Sequence, residues 1–287
     1  MPPLASAKVP VGEGPVGLAF AGGDVWVALA NENAVVRVDA RTGVASARIA
    51  VGGVPLRVAG GKDGVWVTNF RDGTVSRIDV KTNRVTATIK AGPEAEGIAV
   101  LGPNVFVVTQ QDAKLHRISG RTGKPDGVAS TGKGPRLVTP AAGALWVTNF
   151  TAGTISRVDP KTMAVTNSPV LCAGPQGLAF AGAHLWLACT DDDEVLEIDP
   201  TGWRVLRSVN VTGHPDAVAV ADQRVFVSVE DPLGLAAIDS ASGEVTIGAY
   251  DGATAVRTAN TDVVLVGAQV WQSAFGDNEL RRVSGMN

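Results

Sequence analysis

The chain has 287 residues, 45% of them apolar and 18% charged, with a formal net charge of −3. That balance belongs to a globular protein and excludes a disordered one, and a pI near 5.7 argues against the clustered Lys and Arg that nucleic acid or an anionic membrane requires. No apolar run approaches the roughly 18 residues of a membrane-spanning helix, so this segment is not expected to insert into a bilayer.

From the N-terminus, Met1 to Ala5 reads as leading straight into a strand-like segment, so no signal peptide is expected within it. The expected compartment is cytoplasmic if Met1 is the native start, and extracytoplasmic if the segment belongs to a longer exported chain. Leu4 to Glu13 resembles Val44 to Gly53, which reads as an outer strand of the first full unit. Trp26, Trp66, Phe106, Trp146, Trp186 and Phe226 then fall 40 positions apart, and Arg37, Arg77, Arg117 and Arg157 keep the same step. A period near 40 residues, dense in short β-forming runs, predicts a repeat array of propeller type.

One unit, residues 54–93, shows the pattern. Strands are predicted from Val54 to Ala59, Gly64 to Asn69, Thr74 to Asp79 and Arg84 to Lys90, with turn residues between them. The corners Asp39-x-x-Thr42, Asp79-x-x-Thr82 and Asp159-x-x-Thr162 read as turns in which the acid bonds nearby backbone N–H groups. The aromatic row is expected to pack blade on blade, and the repeated arginines to be solvated or to tie blades together.

The last unit closes the ring in this reading. Gly252 to Val266 aligns without a gap on Gly14 to Ala28, and Glu279 to Ser284 supplies a third strand. The missing fourth strand is then the N-terminal one. The prediction is a single all-β domain over residues 1–287, a seven-bladed β-propeller of four-stranded antiparallel blades whose seventh blade combines 253–287 with 4–12. Cys172 and Cys189 read as too far apart for a bridge and are expected to be free buried thiols; a bridge would point to an oxidising compartment.

Segments such as Val65-Trp-Val-Thr-Asn-Phe-Arg-Asp-Gly-Thr-Val-Ser-Arg-Ile-Asp resemble the YVTN-repeat β-propellers across nearly the whole chain. That resemblance implies a binding or surface module, including extracytoplasmic sensor parts of receptors. The unit also resembles that of virginiamycin B lyase-like propellers, which implies the alternative of a lyase opening a cyclic ester with Mg²⁺ held by histidine and glutamate.

Function in a repeat fold lies where the units stop agreeing. Residues after each entry turn should ring the central opening: Val16, Leu56, Glu96, Arg136, Gln176, Asp216 and Thr254. Glu96 and Arg136 are expected to pair. With Arg136 intruding and Val16 and Leu56 lacking side-chain oxygens, the ring does not suit a hard metal that takes about six to eight oxygen ligands, and no cofactor is expected. The loops between second and third strands add Asn69, Phe70, Arg71, Asn149 and Phe150 on one side and Asp191 to Glu194, Glu230 and Asp231 on the other. The gapless alignment places an insertion containing Trp271 and Phe275 over the opening, beside a lone inner-strand Arg257 that needs a ligand anion or one of Asp216, Asp262 and Asp277. His214 is the histidine expected at this face; in an enzyme it would serve as general base with Asp216 or Glu230. The favoured expectation is a monomeric, non-catalytic propeller that binds a small molecule, peptide or protein near Arg257, Trp271 and Phe275.

Overall fold

The computed structural model describes residues 3–62, 64–254 and 261–284. Seven four-stranded antiparallel sheets are arranged as blades around an axis. Blade two runs Pro55–Gly61, Gly64–Asn69, Thr74–Asp79 and Arg84–Lys90 from the axis outward, close to the predicted bounds. The seventh blade pairs Ala7–Pro10 with Glu279–Ser284, then Gln269–Ala274, then Val263–Val266. The two ends of the chain therefore close the circle, as the repeat predicts, and remove two open sheet edges.

Each aromatic of the forty-residue row is buried at the same register of a second strand, between neighbouring blades: Trp26 and Trp186 have no exposed surface and Phe226 has 5%. The arginine row lies one strand further out. Arg37 stands over the Trp26 ring at 5.1 Å and reaches the Val80 carbonyl and Asn83 Oδ1 of the next blade. Arg117 reaches the carbonyls of Pro160 and Lys161 in the same way. These arginines are ties between blades.

The inner strands approach so closely that side chains alternate with none. A Cβ on Gly17, Gly97 or Gly177 would strike the backbone carbonyl of Leu56, Arg136 or Asp216 on the next blade. At the same register the other blades carry Arg57, Leu137, Ala217 and Asp262.

Two expectations are corrected here. Val264 pairs with Trp271 as Ala19 pairs with Trp26, so Val263–Val266 is the inner strand and not the second. Trp271 stands 45 residues after Phe226, where every earlier step is 40, and the extra residues precede the inner strand. A short apolar run such as Val-Val-Leu-Val has no periodicity that distinguishes an inner from a second strand. The ring residue of blade seven is accordingly Thr261, not Thr254.

The second correction concerns the cysteines. Cys172 and Cys189 form a disulfide, with their Cα atoms 5.9 Å apart. The outer strand of blade four is only Val165–Asn167, so the chain turns inward early and Cys172 passes the end of His184–Cys189.

Candidate functional site

In blades one to six the entry turn and the loop after the second strand are stapled by one recurring bond. The N–H groups of Ala30, Phe70, Gln110, Phe150 and Thr190 bond the carbonyls of Gly14, Val54, Glu94, Gly134 and Gly174, and Glu230 bonds that of Gly213, at 2.8–3.1 Å. The staple gathers both loop sets on one face around the axis, where the mouth has two unlike halves.

Blades seven, one and two supply an apolar wall: Val16, Ala30 and Leu56 are buried together, with Val54, Phe70 and Phe275 half-buried against them. Blades three to six supply a charged wall. Glu96 is 1% exposed; the Gln110 amide donates to its Oε2, and Oε1 has no partner. Its carboxyl is pushed up chiefly by burial, against the pull of Arg136 and Arg57. Arg136 lies 4.2 Å over the Phe150 ring, a cation–π contact. Glu96 and Arg136, expected to pair, attract each other across neighbouring blades.

Asp216 and Glu230 face one another in blade six. Burial first, then the Glu230 charge and hydrogen bond, drive Asp216 well above the usual carboxylate range, while Arg57 pulls the other way. Asp216 therefore favours its protonated form, with the Glu230 carboxyl beside it. The Thr261 hydroxyl lies 3.3 Å from Asp216 Oδ2 and 2.9 Å from Ser228 Oγ.

His214 sits in the entry turn of blade six with a left-handed φ of 60°. Its backbone N–H donates to Asp193 Oδ1 (2.8 Å) and its Nδ1 lies 3.2 Å from the Thr190 carbonyl. Since a carbonyl only accepts, Nδ1 carries the proton, and Nε2 is the acceptor in the neutral ring. The structure thus brings Asp216 and Glu230 together, while the His214 ring is bonded to backbone.

Other sequence-predicted residues are placed as follows. Asn69 and Asn149 are buried and brace their own blades: each Nδ2 donates to a threonine and a serine, Thr74 with Ser76 and Thr154 with Ser156, at 2.9–3.0 Å. Arg71 is exposed. Phe70, Phe150 and Phe275 stand at the mouth. Trp271 does not: it has no exposed surface and packs with Val9, Val25 and Leu280 between blades seven and one, as the seventh member of the aromatic row. Arg257 lies outside the described residues. Asp277, one of its expected partners, meets Arg281 at 2.6 Å.

Sequence reasoning missed Arg57 and named Asp262 only as a possible partner of Arg257. Arg57 is 4% exposed and its Nη1 lies 3.5 Å from Asp262 Oδ2. Burial alone would favour a neutral guanidine, but Asp262, Asp216, Glu96 and Glu230 outweigh it and keep Arg57 charged. The available signal was an arginine at a register that is glycine in three other units, visible only once blade seven is aligned so that Asp262 shares that register.

Among the described residues, no group of three His, Cys, Asp or Glu side chains is placed to hold a metal ion. The acids present do not suit Mg²⁺ either: burial favours the protonated form of Asp216, and the Arg57 charge acts on both Asp216 and Glu230.

Fold and site together define a seven-bladed β-propeller with a charged axial mouth. No family model and no curated protein sequence matches the chain. Among solved structures it is similar to a structure of Kuenenia stuttgartiensis hydrazine synthase, with a TM-score of 0.85 at 15% identity over 96% of both chains. It is also similar to a streptogramin B lyase (0.84, 14%, covering 97% of this chain and 96% of that one) and to the computationally designed Ika8 protein (0.71, 13%, 96% and 98%). At these identities the likeness shows the fold alone.

Proposed function

We propose that this protein is a non-catalytic binding propeller of the YVTN-repeat type, taking a small molecule or peptide at the loop-face mouth. One observation carries the reading: the mouth is half apolar, with Phe70 and Phe275 half-buried, and half charged, with Glu96, Arg136, Asp216 and Glu230 at its rim. Apolar and aromatic surface with a few convergent polar groups is how small-ligand sites are built. The disulfide supports an oxidising, exported setting, in keeping with a sensor or interaction domain.

A second reading has one specific observation behind it. Asp216, held toward its protonated form, is hydrogen-bonded to the Glu230 carboxyl, a pairing that acid–base chemistry can use, and one structural neighbour is a lyase. One experiment separates the two. A panel of soluble metabolites and short peptides is screened by thermal shift, and each hit is incubated with the protein and weighed by mass spectrometry. Binding predicts hits that survive unchanged and weaken about tenfold or more in F275A or E96Q. Conversion of a hit that stops in D216N decides for the enzyme.

A further inference from the structure

Behind the mouth, the axis holds a chamber of about 140 Å³ lined by Arg57, Asp262, Val58, Ile98, Leu137 and Leu178. None of the mouth loops contributes to these walls. Arg57 heads the chamber, and among the described residues none of its three guanidinium nitrogens makes a close hydrogen bond although the residue is only 4% exposed. Asp262 stands beside it as an ion-pair partner at 3.5 Å, a long contact that leaves the guanidinium fork under-satisfied. Its own oxygens accept the N–H groups of Leu18 and Val263, both at 2.9 Å.

A buried donor without an acceptor is costly, and the planar fork of a guanidinium matches a carboxylate in two parallel hydrogen bonds. The group that satisfies Arg57 is therefore a carboxylate. A simple anion matches the surroundings poorly, because Asp262 lines the same chamber 3.5 Å from Arg57 and would repel it. A simple cation is repelled by Arg57 itself. A molecule with both charges and no net charge meets both demands, since each Asp262 oxygen keeps a second lone pair for an ammonium. Size narrows the class further. At roughly 30 Å³ for each water-sized group, the chamber admits about five such groups, which is the scale of glycine or alanine. Val58, Ile98, Leu137 and Leu178 offer a methyl group an apolar wall.

We propose that the axial chamber binds a small zwitterionic α-amino acid, its carboxylate on Arg57 and its ammonium toward Asp262. The test is calorimetric titration of the purified full chain with glycine, L-alanine, propionate, ethylamine and L-leucine. Glycine or alanine should bind, with propionate, ethylamine and leucine at least tenfold weaker. L137F fills the chamber without altering a charge and should weaken alanine at least tenfold. R57M should do the same, but it also removes a buried cation, so L137F decides where R57M fails to fold. Propionate or ethylamine binding as tightly as alanine overturns the zwitterion. Alanine binding untouched by L137F, or no binding by any of the five, overturns the chamber as a site and leaves Arg57 an internal brace. A mouth ligand should be indifferent to L137F, so failure here leaves the mouth reading standing.

Discussion

Asp39 and Asp216 carry the same side chain and titrate in opposite directions. Asp39, at an outer corner, accepts the backbone N–H groups of Thr42 (2.7 Å) and Arg41 (3.0 Å) and the Thr42 hydroxyl (2.9 Å). It is held below the usual carboxylate range, chiefly by the Thr42 N–H. Asp79, Asp159, Asp199 and Asp239 repeat the arrangement, each lowered first by a backbone N–H two or three residues on. Asp216, near the axis, is raised by burial and by Glu230. The corner acid finds every partner within three residues. The axial acid meets Arg57 and Thr261, which arrive from blades two and seven. The repeat is a local code; the departures from it become a site only when the ring closes.

Breaking the axial cluster should have the largest effect. R57M leaves buried acids without their cation and should cost about 3–5 kcal/mol in chemical denaturation, the usual range for removing one partner of a buried pair. A loss near zero would show Arg57 to be replaceable and the cluster to be unimportant for stability. Next comes the disulfide. C172S opens a bridge between cysteines 17 residues apart, and closing a loop of that size contributes about 3 kcal/mol; an unchanged denaturation midpoint under oxidising conditions would contradict this.

A pH titration of thermal stability sharpens the contrast, because the two acid sets have opposite signs. The corner aspartates are depressed in the fold, so their contribution is present above the ordinary carboxylate range and lost as pH falls through their folded values. Glu96, Asp216 and Asp262 are raised, burial being the first cause in each. Their contribution is present below the ordinary range and is lost as pH rises through the folded values. D216N should therefore gain on wild type as pH climbs above the usual carboxylate range; a difference independent of pH would contradict the raised acid. The smallest effect is expected from D79A. It should lower the melting temperature slightly at neutral pH, converge with wild type in acid and leave ligand binding unchanged.

How much was legible follows the same division. The forty-residue step, the corner turns and the likeness of Leu4–Glu13 to Val44–Gly53 predicted seven blades and the pairing of the two ends. Each of those signals depends on backbone propensity, turn chemistry and side-chain burial within one unit. The common placement of Phe70, Phe150, Phe275, Glu96, Arg136, Asp216 and Glu230 toward one end of the axis was also legible, because loop position follows from strand order. Trp271 was misplaced, since a seven-residue slip in aligning the last unit carried a packing residue into a loop.

By itself, then, the sequence determined the blade and its count, which are written in contacts between neighbours along the chain, and the closure, which is written in the likeness of the first strand to an outer strand of the repeat. Only the tertiary structure decided the cysteine bridge and the encounter of Arg57 with Asp262. The second pair is separated by most of the chain, and no periodicity links an arginine of blade two to an aspartate of blade seven. They meet because seven inner strands converge on one axis, where burial and charge act across the ring rather than along it.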